Sequence, residues 1–254
     1  MNELEERKNK FDNDGYIIFN INDNELIDAV NLDVKNHLES GQFKTNSKIY
    51  SYNESPRIVE SHKFSENCNK LAKHPSVMEA LTHLYSSKPL AFSTINFIES
   101  TQQPLHSDYV HFGTVPELLL AGTWIALEDI DPDSGPLQIV PKSHKFDIFE
   151  FSMVSPNLPS SISDVKKLYS LYEEWVKEYL EANSIQTITP EMKKGDCIIW
   201  AANLLHGSPE RKDLTLQRKS QVTHWSFGDV KMHYNPNFSI PSKEKFTERK
   251  VEFF

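Results

Sequence analysis

Two short stretches of this sequence concentrate residues able to do chemistry. Gln103-Pro104-Leu105-His106-Ser107-Asp108 carries a His-x-Asp pair, and Leu204-Leu205-His206-Gly207-Ser208 places a second histidine just beyond the apolar run Asp196–Trp200. Side chains two apart on a strand share a face, so His106 and Asp108 can converge on one ion if Leu105–Phe112 is a strand. Two imidazoles and one carboxylate on one face of an octahedral ion leave its other positions open, which is the donor set of non-haem iron(II) sites. Neither stretch decides the matter alone. In a chain with 10 histidines a His-x-Asp pair is ordinarily a surface histidine beside a solvated aspartate. A lone His206 after an apolar strand is ordinarily a core histidine. Arg218 alters the balance, because it opens the alternating run Arg-Lys-Ser-Gln-Val-Thr-His-Trp twelve residues after His206. Its planar fork can donate two parallel hydrogen bonds to the far carboxylate of a 2-oxoacid whose other end chelates a metal.

These residues need elements to hold them. Tyr16–Phe19 reads as a short strand after Gly15, and Leu26, Val30, Val34 and Leu38 recur four apart over Asp23–Leu38, with Asn22 or Asp23 as the helix cap. Ser65–Tyr85 reads as helical and divided at Pro75, which suits the first turn of the second half. From Leu90 the texture is β: Leu90–Ile98, Leu105–Phe112, Leu119–Leu127, Leu137–Val140, Cys197–Trp200 and Ser220–Phe227, with turn-formers at 131–136. Residues 153–163 are rich in Pro and Ser and could form a lid. Asp164–Glu181 then shows Val165, Leu168, Tyr172, Trp175 and Tyr179 at helical spacing, a stripe that packs a helix onto its neighbours. The pattern predicts one domain over 1–254: a mostly helical part over 1–88, then a β core over 90–230 with a helical insertion at about 147–185. Many short strands behind helices predict a mainly β jelly roll or barrel with a helical buttress.

Composition limits the function classes. At 254 residues, 38% apolar and 25% charged, the chain can bury one sizeable core without staples. Its net charge is −9 and its 27 basic residues are scattered, which argues against a nucleic-acid partner. The opening MNELEERKNKFDNDG lacks the apolar core of a signal peptide, and Leu118–Leu127 is too short to span a bilayer, so a cytoplasmic protein with no membrane partner is expected. Cys68 and Cys197 read as small buried hydrophobes.

From about Ile95 to Phe227 the sequence resembles the phytanoyl-CoA dioxygenase-like family of Fe(II)/2-oxoglutarate oxygenases, through LHSDYVHF, AGTWIALEDIDPDSGPLQIVPKSHK, KGDCIIWAANLLHGS and QRKSQVTHWSF. The resemblance implies a double-stranded β-helix, a cupin-like jelly roll. It implies His106, Asp108 and His206 as metal ligands and catalytic centre for Fe(II) and O2, and Arg218 as the anchor of 2-oxoglutarate. Trp124 matches a residue lining the cosubstrate pocket, and Ser220 a second hydroxyl contact. The His206–Arg218 gap is slightly longer than the family's usual one, which leaves Arg211 as a competitor, and Lys142 replaces the glycine of the usual Pro-Gly-Ser-His turn. The implied activity is hydroxylation of a C–H bond in a small-molecule metabolite or natural-product intermediate, with release of succinate and CO2. Halogenating relatives need a small residue where this chain keeps Asp108.

Other residues carry less. Gln103 and Asn96 lead into the motif and could touch 2-oxoglutarate or substrate, or serve only a ladder edge. His111 is an odd number of residues from Asp108 and points to the other face of a regular strand. His144 suits a structural turn role, Asn203 and Thr223 flank the right strands, and Glu128 and Asp129 end a strand. A non-catalytic cupin-like metal-binding protein and a zinc hydrolase share the donor set. The first has no use for Arg218, and the second lacks an evident general base.

Overall fold

The structure is a computed structural model that describes residues 2–41, 57–150, 153–155, 162–234 and 248–254. Helix α1 (Glu3–Asp14) is capped by the Asn2 side chain and stopped at Gly15, whose φ of 84° suits a residue without Cβ. Strand β1 (Tyr16–Asn20) leads into α2 (Asn24–Glu39), where the Asp23 carboxylate accepts from Leu26 N and Val30 and Val34 are buried. After β2 (Arg57–Val59) come α3 (Ser61–Phe64), α4 (Glu66–Ala72) and α5 (Pro75–Tyr85), with Pro75 in the first turn as expected. The remainder comprises β3 (Pro89–Phe97), β4 (Phe112–Val115), β5 (Leu120–Ala126), β6 (Gln138–Ile139), α6 (Ile162–Ala182), β7 (Asp196–Ala201), β8 (His206–Gly207), β9 (Ser220–Phe227) and β10 (Lys231–Tyr234).

Six strands form an antiparallel sheet in the order β1-β7-β5-β9-β3-β2. Alternation decides which face each residue serves. Ala121 and Ile125 of β5, with Cys197 and Ile199 of β7, pack against Val30, Leu71, Val77 and Leu81 of the helices. Trp124, Ile198, Trp200 and Val222 point the other way, toward Ile139 and Leu204. A second, shorter layer lies opposite. Here β6 pairs with β8, Ile188 bridges Ile139 on one edge, and His106 bridges His206 on the other. Strands β4 and β10 pair beside it. Two antiparallel layers closed around an interior, with helices on one outer face, make a jelly-roll double-stranded β-helix.

One expected strand is not regular. Within Leu105–Phe112 only His106 takes a ladder position before the last residue; Asp108–Val110 is a 3₁₀ turn, and pairing resumes at Phe112. The segment is β-rich in composition, but a single tight turn leaves no trace in periodicity. Helix α6 forms where its stripe predicts, burying Leu168, Tyr172, Val176 and Leu180, with Tyr172 and Val176 packed among Val140, Phe149 and Leu205. The side chain of Val165 and most of the Pro/Ser-rich approach, hence the lid reading, lie outside the described residues. Lys142 adopts φ 69°, ψ −1°, the left-handed conformation that explains why a glycine is usual there. Cys68 and Cys197 are unbridged and buried, and burial pushes the Cys68 thiol up to about 11.

Candidate metal centre

Between the two layers lies a cavity of about 510 Å³, and His106, Asp108 and His206 all line it. One donor atom from each falls within 4.8 Å of the others. Two backbone hydrogen bonds set the histidines side by side: His106 N to His206 O at 2.9 Å, and His206 N to His106 O at 2.8 Å. Each imidazole meets a carbonyl at Nδ1, Pro104 O at 2.8 Å for His106 and Leu204 O at 3.0 Å for His206. A carbonyl only accepts, so both Nδ1 atoms carry the proton and both Nε2 lone pairs remain for a ligand. The Gln103 amide reaches His106 Nε2 at 3.0 Å, which marks that lone pair as facing the cavity.

Asp108 is fixed from both sides. Its Oδ2 accepts from Trp200 Nε1 at 2.8 Å, while Oδ1 lies 3.7 Å from Nε2 of both His206 and His224. Burial pushes the carboxyl pKa up, but the His206, His224 and His106 imidazoles outweigh it and hold the group well below the usual carboxylate range. Burial, then the neighbouring His206 and His111, push His106 well below its ordinary value. A neutral imidazole and an ionised carboxylate are the forms a divalent metal needs. The donor set therefore fits a metal with open positions.

Arg218 lines the same cavity and is 3% exposed. Its Nη1 donates to Ser208 Oγ at 3.1 Å, its Nε has no hydrogen-bond partner, and it forms no ion pair with any described residue. The guanidinium lies 5.7 Å over Trp124 and 5.9 Å over Phe97. Burial, then the nearby Arg57, lower its pKa to about 10, so it stays charged at neutral pH. Arg211 is engaged elsewhere, by Glu99 at 2.8 Å and by the carbonyls of Leu214 and Leu216, and it is not among the cavity-lining residues.

The sequence profile of the phytanoyl-CoA dioxygenase (PhyH) family matches residues 11–213, most of the chain and all three residues of the donor set. The chain belongs to the phytanoyl-CoA dioxygenase family. Peroxisomal phytanoyl-CoA dioxygenase of Rattus norvegicus is 25% identical over 190 residues, 74% of this chain and 49% of the relative, so the chain spans about half the length of that curated relative. Among solved structures, EctD from S. alaskensis with 2-oxoglutarate and 5-hydroxyectoine superimposes with a TM-score of 0.70 at 19% identity, covering 99% of this chain and 85% of that one. The non-heme alpha-ketoglutarate-dependent carbocyclase SnoK from nogalamycin biosynthesis gives a TM-score of 0.70 at 14% identity, covering 93% and 87%. These likenesses establish the double-stranded β-helix fold.

The phytanoyl-CoA dioxygenase family match ends before Arg218, so the placement of that residue rests on the geometry above. Trp124 and Gln103 line the cavity. Gln103 accepts from Arg57 at 2.5 Å and donates to Tyr169 at 3.2 Å, which ties α6 to the donor set. Asn96 faces away: it is fully buried on the helix side and donates to Gln221 at 3.3 Å. Ser220 is buried without a hydrogen-bond partner for its hydroxyl and is not among the lining residues, whereas Ser208 is. His144 serves the turn, contacting Asp12 O at 3.3 Å, and its carbonyl accepts from Asn203 at 2.6 Å. The Thr223 carbonyl accepts from Thr123 at 3.4 Å, Glu128 caps Lys219 N at 2.7 Å, and Asp129 caps Lys194 N at 2.9 Å.

His111 overturns a parity expectation. The 3₁₀ turn after Ser107 rotates the chain, so His111 lines the cavity with its ring 5.8 Å from His106 and 5.4 Å from Tyr169. Sequence reasoning also passed over His224, Arg57, Ser208 and Tyr169. The usable signal for His224, on β9, was its even spacing from Val222, whose side chain lines the same cavity. Burial drives the His111 pKa down to about 4. Between that value and the unfolded value near 6.5 the unfolded chain binds the extra proton, so stability falls as pH falls through this window. His111 alone accounts for on the order of 3 kcal/mol by pH 4 in metal-free protein. Urea melts from pH 7 to 4.5 check this: His111→Asn is expected to flatten the slope, and an unchanged slope contradicts the neutral buried ring.

Proposed function

We propose that this chain is an Fe(II)- and 2-oxoglutarate-dependent dioxygenase that hydroxylates a C–H bond of a small-molecule metabolite or natural-product intermediate, releasing succinate and CO2. One observation carries the reading. The cavity that gathers two histidines and a carboxylate also holds a buried guanidinium with no carboxylate partner among the described residues. A purely structural metal site has no use for the second feature, and a dicarboxylic 2-oxoacid uses both.

His106, Asp108 and His206 would hold the iron, which when bound supplies dioxygen activation coupled to oxidative decarboxylation of 2-oxoglutarate. The protein's part is to bind, orient and exclude water. The Pro104 and Leu204 carbonyls hold both rings in the ligating tautomer, and Trp200 holds the Asp108 carboxylate in one orientation. Arg218 receives the distal carboxylate of 2-oxoglutarate, with the Ser208 hydroxyl beside it and the Trp124 indole as a wall. Gln103, fixed by Arg57 and Tyr169, borders the position next to His106. Phe97, Phe112 and Val222 supply apolar stretches of the wall between these polar groups, and the low polarisability of those stretches strengthens each charge contact. The retained carboxylate at Asp108 favours hydroxylation over halogenation.

Anaerobic addition of Fe(II) and then 2-oxoglutarate is expected to give a weak visible charge-transfer band. Folded, metal-loaded protein that shows no band with 2-oxoglutarate sinks the oxygenase reading and leaves a non-catalytic cupin-like binding protein.

A further inference from the structure

A second ring besides Trp200 addresses the Asp108 carboxylate. Across the six-stranded sheet Trp200 of β7 pairs with Gly122 of β5, and Gly122 pairs in turn with His224 of β9, so the three positions form one row. Side chains in one cross-strand row share a face, and Trp200 and His224 both line the cavity. Gly122 between them contributes no side chain, which leaves the two rings to meet the carboxylate presented by the 3₁₀ turn at Asp108. Trp200 Nε1 donates to Oδ2 at 2.8 Å, and His224 Nε2 lies 3.7 Å from Oδ1. The His224 ring takes its orientation from Phe92 at 6.0 Å and Phe112 at 5.4 Å, whose side chains offer an imidazole no hydrogen bond.

His206 Nε2 stands at the same 3.7 Å from Oδ1, yet the two contacts differ in kind. The Leu204 carbonyl holds the His206 hydrogen on Nδ1, so Nε2 faces Oδ1 with a lone pair, and two facing lone pairs call for a cation between them. His224 has no carbonyl on Nδ1 among the described residues, and it lies outside the group of donor atoms that fall within 4.8 Å of one another. Its Nε2 can carry the hydrogen. Facing a carboxylate oxygen it does so, because an N–H is attracted there and a lone pair is repelled. A small rotation of either side chain turns this contact into a charge-assisted hydrogen bond. A carboxylate oxygen has two lone pairs, enough for one metal and one N–H donor.

We propose that His224 is a positioning residue of the metal centre: with Trp200 it completes a two-point grip on the Asp108 carboxylate, fixing its rotation and moderating the electron density that Oδ1 gives a metal. The inference rests on His106, Asp108 and His206 being the ligands and does not depend on 2-oxoglutarate.

The test measures Co(II) affinity, from the visible absorption of the bound ion, in the parent and in three variants. His224→Leu and His224→Phe remove the donor and keep apolar packing against Phe92 and Phe112, and His224→Gln keeps an N–H of similar reach. Thermal melts of the metal-free proteins select a donorless variant that melts like the parent. That variant is expected to bind Co(II) about tenfold or more weakly, and His224→Gln to recover most of the loss. A second readout is the charge-transfer band with Fe(II) and 2-oxoglutarate, expected at longer wavelength without the donor, because a more basic Oδ1 makes the iron easier to oxidise. X-ray absorption of the Co(II) protein should count two imidazoles in the parent and in the variant alike. Unchanged Co(II) affinity, an unmoved band, a folded His224→Gln that recovers nothing, three imidazoles in the parent, or loss of the fold in both donorless variants overturns the proposal. A parent that binds no Co(II) defeats the ligand set and this role with it. A parent that binds Co(II) but gives no band defeats the oxygenase reading alone, and the Co(II) affinities still decide the role of His224.

Discussion

Replacing Arg218 with methionine is expected to weaken 2-oxoglutarate binding roughly 100-fold while leaving the metal-free protein at least as stable as the parent. The two effects have one cause. Arg218 is 3% exposed and has no ion-pair partner among the described residues, so its charge is desolvated without full compensation until an anion arrives. A methionine of similar length removes that penalty and fills the space against Trp124 and Phe97. With 2-oxoglutarate bound, the same substitution strands a buried carboxylate, the costly case for a charge. Titration of the visible band gives the affinity, and thermal melts of metal-free protein give the stability. Unchanged affinity would falsify the anchor assignment; lost affinity together with a large drop in melting temperature would mean that Arg218 acts mainly as structure.

The second large effect is expected at Gly122, which carries no functional group. Gly122 pairs with Trp200 across β5 and β7, and a Cβ there would lie 2.4 Å from Trp200 Cε2 and 2.5 Å from its Nε1. No real Cβ tolerates that approach, so Gly122→Ala must displace the indole. The indole N–H is the donor to Asp108 Oδ2, so the displacement reaches the proposed metal ligand. Losing such an outer partner typically lowers metal affinity about 10–100-fold, and overpacking adds about 1–3 kcal/mol of destabilisation. Trp200→Phe removes the donor without the clash, and should reproduce the affinity loss. Fe(II) titration of both variants is the measurement. If Gly122→Ala binds Fe(II) like the parent, Trp200 does not orient Asp108.

Much of the six-stranded sheet was legible in the sequence because its strands are long enough to show alternation. Ser220–Phe227 matches β9 residue for residue, and the Asp23 cap and Pro75 break fall where local chemistry demands. The shorter layer was far less legible. Strand β6 falls within the expected run Leu137–Val140, but β8 has two residues and His106 joins it through a single bridge, so pairing distant in sequence creates that edge and no local pattern records it. The donor set was found by residue type, yet the reason first offered, two side chains on one strand face, is replaced by a 3₁₀ turn at Asp108. That turn also explains the misplaced His111. His224 and Arg249 went unseen for different reasons. An alternating strand leaves a site histidine looking like a core one, and Arg249 reaches the cavity only because residues 248–254 return to β3 and β10.

The mutual backbone hydrogen bonds of His106 and His206 have a consequence for the entropy of metal capture. In a disordered chain, closing the loop from position 106 to position 206 costs about 4 kcal/mol, a penalty that grows with the logarithm of loop length. Here the fold has closed that loop before any ion arrives, with both carbonyls already holding the rings in the ligating tautomer. The free energy of coordination therefore goes into affinity instead of into gathering the chain. This separates the site from zinc-finger-like domains, in which the ion is the organiser and its removal is unfolding.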